Sequence, residues 1–181
     1  MVFFQKGRCP GIGNQKRLLR GLICFILICS VMFGLSGCIN IPPCEEMASV
    51  FADNQSAFED TADILIDAQS DSFIQIDLEN PDNERLYVIQ KENLWFSSLS
   101  PIEEELYDAL YHAAAPLFAD AKVEGIYCNQ THSQVEFFMK FDLGAESSIF
   151  YTTSGNAPSV GFTVKEMEKI ADGWYAVVSV D

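Results

Sequence analysis

Basic charge is what this sequence has least of. Lys and Arg number 11 against 26 Asp and Glu, for a formal net charge of −15, and histidine occurs only twice. A chain this acidic repels nucleic acid and anionic lipid, which removes nucleic acid from its partners. Two histidines leave little material for a multi-histidine metal centre or a histidine-based triad. The fingerprints of common chemistries are missing too: beyond the N-terminal region there is no Gly-x-Ser-x-Gly, His-Glu-x-x-His, Walker or dinucleotide pattern. Internal repeats and low-complexity segments are equally lacking, which sets aside solenoids and long disordered tails. On these grounds no catalytic residue, no metal ligand and no cofactor is assigned.

The bases that do occur are unevenly placed. Lys6, Arg8, Lys16, Arg17 and Arg20 lead an apolar run from Leu22 to Leu35, which closes on Leu35-Ser36-Gly37-Cys38. Positive charge keeps the N-terminus on the cytoplasmic side while the apolar run enters the membrane, so residues after Cys38 face outward. This is the pattern of an export signal. Its closing tetrad resembles the lipobox of bacterial lipoproteins. The resemblance implies cleavage between Gly37 and Cys38, with fatty acyl chains carried on the thiol and new amino group of Cys38. Two or three such chains, each buried CH₂ contributing about 0.8 kcal/mol, hold a protein durably where one would not. The basic lead is longer than is usual in that family. The competing reading is an uncleaved anchor, because Gly21 to Gly37 reaches the short end of the roughly 17 to 25 residues a spanning helix needs.

Three segments follow from this: a removed signal over 1–37, a lipid-anchored tether over 38–43 with two prolines, and a single extracytoplasmic domain over 44–181. All five leading bases leave with the signal, while every Asp and Glu stays, so the mature chain carries six bases and a net charge of −20. Solubility and spacing from an anionic envelope account for such a surface, and it also attracts cations or cationic peptides. Cys9, Cys24 and Cys29 are lost and Cys38 takes lipid, leaving Cys44 and Cys128. Outside the cell this pair is able to oxidise, and a bridge closing so long a loop would stabilise by roughly 4 kcal/mol. The alternative is two buried free thiols, with Cys44 close to the tether.

Periodicity places the elements. Met47, Val50, Phe51, Phe58, Ala62, Leu65 and Ala68 recur at helical spacing, predicting one helix over 45–68 that is weakened at Asn54-Gln55-Ser56. Ser72 to Glu79 alternates and reads as a strand, and Arg85 to Gln90 returns as another across an Asn80-Pro81 turn. Ser100-Pro101-Ile102-Glu103 predicts a second helix start, with Ser100 as N-cap, Pro101 in the first turn and Glu103 closing a capping box; Pro116 ends or bends that helix. Five strands then form a meander: Val123 to Cys128, Gln134 to Asp142, Ser148 to Thr153, Gly161 to Ile170 and Trp174 to Val180. Glu136 to Phe141 is too apolar for clean alternation, which predicts a central strand covered on both faces. The expected fold is α+β, two helices packed on one face of a bent, mainly antiparallel sheet. The segment from Gly125 onward, closing on Ile170-Ala-Asp-Gly-Trp-Tyr175, resembles small exported proteins of Gram-positive bacteria and, more loosely, cystatin-like and nuclear-transport-factor-like folds. That likeness implies a helix on a bent antiparallel sheet and no activity.

Candidate sites each have a plain explanation beside the functional one. Cys128 and His132 are spaced to share a metal or act as nucleophile and base, yet a strand end followed by a polar turn accounts for them. Glu105, Asp108 and His112 share a helix face, as a solvated surface does. Glu79, Asp82 and Glu84 lack the spacing and glycine of a calcium loop. Trp95, Phe96, Tyr151, Phe162, Trp174 and Tyr175 are the aromatics to line a groove, or else to fill the core. The leading expectation is a membrane-held lipoprotein that binds a protein or small ligand without catalysis. The alternatives are a lipid-anchored envelope hydrolase and an immunity or inhibitor protein with a basic partner. Three or more shifted ionisable groups meeting in one pocket would mark the enzyme.

Overall fold

Asn54 breaks the first helical stretch and thereby sets how the helices meet the sheet. The computed structural model describes residues 41–68, 72–80, 85–91, 99–100 and 103–181, all within one unit, Ile39–Asp181. Cys44–Asp53 forms α1 and Gln55–Asp67 forms α2, where apolar spacing predicted a single helix. The Asn54 amide donates back to the Val50 carbonyl at 2.9 Å, and its φ of −125° leaves the helical region. A short polar side chain that satisfies the preceding turn lets a helix stop without a stranded carbonyl. The break brings Phe51 and Phe58 to 5.5 Å ring to ring, and both reach the Trp174 ring, at 4.8 and 6.1 Å.

The third helix, α3, spans Glu104–Ala119, departs from expectation at its start and runs three residues past Pro116. Ser100 is not its cap: it pairs in a strand with Gln90, and Glu103, extended at φ −61° and ψ 141°, precedes the helix without a side-chain cap bond. Ladder pairing claims the Ser100 backbone, so the capping box never assembles. Glu104 and Glu105 instead place negative charge at the positive end of the helix dipole. Pro116 does not stop the helix, because it costs one N–H while its own carbonyl still accepts from the Asp120 N–H at 2.8 Å.

The strands are β1 Phe73–Asn80, β2 Arg85–Lys91, β3 Leu99–Ser100, β4 Gly125–Cys128, β5 Gln134–Asp142, β6 Ala145–Thr152, β7 Thr163–Ala171 and β8 Trp174–Val180. They form one antiparallel sheet in the order β3-β2-β1-β4-β5-β6-β8-β7. The chain is therefore α+β, with three helices among the described residues rather than two. Central β5 alternates after all: Val135, Phe137 and Met139 are buried while Gln134, Glu136 and Phe138 are half-buried. The buried set packs with Met47, Phe58 and Leu65 of the helices into the main core. Full burial of such side chains contributes about 1.5 to 3 kcal/mol each.

The opposite side of the sheet carries a smaller cluster, Phe150, Tyr175 and Val177, with Val160 and Met167 against it. Here the segment 153–162 crosses the strands. The Tyr175 hydroxyl donates to the Gly155 carbonyl at 2.6 Å, and the Gln134 amide exchanges two bonds with the Ser159 backbone, at 3.0 and 2.9 Å. Among the described residues, this crossing covers the β6–β8 end and leaves the β1–β4–β5 end open.

The bridge between Cys44 and Cys128 is not formed; both are buried free thiols. Cys44 lies at the start of α1, its Sγ donating to the Ala176 carbonyl of β8 at 3.4 Å, and Cys128 lies in β4. Those strands stand three spacings apart in the sheet, about 14 Å at roughly 4.8 Å each. A disulfide spans Cα atoms no more than about 7 Å apart.

Candidate functional site

Directly paired residues of neighbouring strands share a face, so the open side can be read row by row. One row runs Gln75, Tyr127, Glu136, Phe150, Tyr175; the next runs Asp77, Gly125, Phe138, Ser148, Val177. Glu136 stands at the centre. The Ser148 hydroxyl donates to its Oε1 at 2.7 Å. Burial pushes the Glu136 carboxyl up to about 7; the Ser148 bond works against that rise and the charge of Glu146 adds to it. Glu146 itself accepts from the Ser179 hydroxyl at 2.7 Å.

Tyr127, beside Glu136 across β4, stacks on Phe73 at 5.6 Å. Its hydroxyl is buried and has no hydrogen-bond partner. Burial, then the charge of Glu136, raises its pKa. Gly125 makes room for the Asp77 carboxylate, since a Cβ there would sit 3.0 Å from Asp77 Oδ1, and the Gln75 amide donates to Asp77 Oδ2 at 2.7 Å.

These rows floor a depression of about 440 Å³ lined by Gln75, Asp77, Gly125, Tyr127, Glu136 and Phe138, with Glu124 and Ile126. A second, of about 160 Å³, continues past Glu136 and Phe138 to Glu146, Phe150 and the crossing segment at Val160 and Phe162. Sharing Glu136 and Phe138, the two make one groove, in the size range of small-molecule sites, roughly 300 to 1,000 Å³. A further depression of about 310 Å³ lies where the chain enters α1, against Pro42, Met47, Lys122 and Lys140. In the groove the raised carboxyl of Glu136 stands beside the raised phenol of Tyr127.

The residues singled out in the sequence fall elsewhere. Cys128 Sγ lies 3.8 Å from His132 Nδ1, and burial pushes the thiol up to about 12, which disfavours a free nucleophilic thiolate. The His132 ring contacts the Leu65 carbonyl at 2.6 Å and the Ser72 carbonyl at 3.2 Å, joining the end of α2 to the start of β1. Among the described residues no group of three His, Cys, Asp or Glu is placed to hold a metal. Glu105, Asp108 and His112 are exposed on α3. Trp174 is core, with Tyr151 at 4.9 Å from it; Tyr175 joins the smaller cluster; among the described members of that aromatic set, Phe162 alone lines the groove. Gly37, Cys38, Asp82, Glu84, Trp95 and Phe96 lie outside the described residues.

Sequence reasoning missed Glu136, Tyr127 and Asp77. The available signal was a lone carboxylate inside the apolar run Val135-Glu136-Phe137-Phe138-Met139. Taking that strand as covered on both faces hid it. No protein family, no curated protein and no solved structure matches this chain.

Proposed function

We propose that the chain is an exported lipoprotein, cut between Gly37 and Cys38 and held by lipid on the outer face of a bacterial membrane, whose domain binds a small ligand in the groove around Glu136. In this reading the helical layer occupies one face of a bent sheet and the other face does the binding. The observation that carries it is an open depression of about 440 Å³ floored by the half-buried Glu136, whose carboxyl pKa is raised, beside Tyr127. Fixed polar groups on a strand scaffold, with aromatic walls, are what orient a small molecule. A second reading, a lipid-held hydrolase with Glu136 as proton donor, is favoured by the raised pKa of that one residue.

The test is a backbone amide spectrum of the protein titrated with a small-fragment library. Binders are expected to shift Gly125, Tyr127, Glu136 and Ser148 together. Fragments that shift only helix residues, or a library without a single binder, would overturn the assignment of this face.

A further inference from the structure

Resting on the reading of Cys38 as the lipid anchor, we propose that one end of the sheet is a membrane-contacting surface: the tip of the β5–β6 hairpin and the start of β7 lie in the headgroup region of the bilayer that holds the chain. Among the described residues five large apolar side chains are exposed, and four of them, Phe141, Leu143, Phe162 and Val164, gather at this end. Phe141 pairs with Glu146, Glu146 with Ser179 and Ser179 with Val164. Phe141 and Val164 therefore stand in one row on one face, three strand spacings or about 14 Å apart. Phe162 shares a depression with Glu146 of that row. Leu143 occupies the hairpin turn between the paired Asp142 and Ala145 and is 76 % exposed, with Phe141 at 54 %. Apolar groups gathered in this way mark a contact with a protein or a membrane.

The tether decides between the two. Pro42 lines one depression with Met139 and Lys140 of β5, so the chain joins the domain beside the residues that lead into Phe141. Four residues carry it from Cys38 to Pro42, at most about 14 Å of extended chain. Lipid on Cys38 thus keeps this end of the sheet within reach of the bilayer, whereas the β7–β8 turn lies about 20 Å away along the seven residues of β8. A tethered surface meets its target at high effective concentration, so a contact too weak to hold the free protein is sufficient. Acidic groups at this end, among them Glu124, Glu146 and Asp181, oppose close approach to anionic lipid. The contact therefore rests on apolar insertion. Asp142, between Phe141 and Leu143, is turned to the other face by strand alternation.

The test uses the full-length protein, purified from membranes that process it and reconstituted into phosphatidylcholine vesicles, with an environment-sensitive fluorophore on Leu143→Cys or, at the opposite end, on Asp172→Cys. Cys44 and Cys128 are fully buried and stay unlabelled. The Leu143 probe is expected to emit at shorter wavelength than the Asp172 probe and to be quenched by lipids bearing a nitroxide near the headgroup, while the Asp172 probe behaves as in water. Phe141→Ser combined with Phe162→Ser should return the Leu143 probe toward its emission in water and leave flotation with the vesicles unchanged. If the protein floats but the Leu143 probe remains in water, or both probes are quenched alike, the anchor stands and the membrane-contacting surface is overturned. A signal unchanged by the two serines also overturns it, since the tether alone then places the probe. If the protein does not float, the anchor falls and the contact falls with it.

Discussion

A carboxylate set among aromatic rings destabilises the fold that holds it, and Glu136 carries that conflict at the scale of a single residue. With its pKa raised from 4.5 to about 7, the folded state holds a proton that the unfolded state has released, so stability falls as pH climbs from about 4.5 to about 7. The full loss is about 3 kcal/mol, at about 1.4 kcal/mol per pKa unit. Glu136→Gln keeps an acceptor for Ser148 and removes the charge. It should therefore stabilise the domain by about 3 kcal/mol at pH 8 and by almost nothing at pH 4, in paired urea unfolding curves. An equal gain at both pH values would mean that the side chain is not held as described. None of this was legible from local spacing. The Glu136 row exists only because β1, β4, β5, β6 and β8 pair in register, and its members are far apart in sequence. By contrast, Cys128 and His132 stood out because they are close in sequence, and proximity there serves packing: His132 reaches the carbonyls of Leu65 and Ser72.

Elements were readable wherever one periodicity ran unopposed. The strands over 134–142 and 174–180 are present with their expected bounds. Errors came where two local preferences competed. Asn54 satisfies its own preceding turn and splits a helix whose apolar stripe continues across it; Ser100 has the sequence of a cap but takes a strand partner. The β7–β8 hairpin offers a test at this scale. Gly173 has φ +77°, and a Cβ there would lie 2.9 Å from the Thr152 carbonyl oxygen, whereas Gly155 has φ +69° and open space around it. Ala at either position meets the left-handed backbone penalty, about 1 to 2 kcal/mol, but only Gly173→Ala adds a backbone clash. Thermal unfolding should show Gly173→Ala clearly less stable than Gly155→Ala. Equal losses would argue that the turn relaxes away from the Thr152 carbonyl, which accepts from the Gly155 N–H at 3.2 Å.

For the whole molecule the decisive question is where the domain resides, because the groove meets ligands outside the cell only if the chain is exported. Five of the 11 bases precede Cys38 while none of the 26 acidic residues does, so one processing event would separate a basic leader from a strongly acidic domain. Among the described residues no helix is long and apolar enough to cross a membrane; the proposed attachment is the lipid on Cys38. Intact mass of the protein extracted from its native membrane, with and without reduction, tests this most directly. The account predicts a chain beginning at Cys38 and carrying diacylglycerol, with no mass change on reduction, since Cys44, at the start of α1 against β8, and Cys128, in β4, are free thiols too far apart to bridge. A mass that retains Met1 to Gly37 and carries no lipid would contradict the account and leave a single-pass membrane protein in its place.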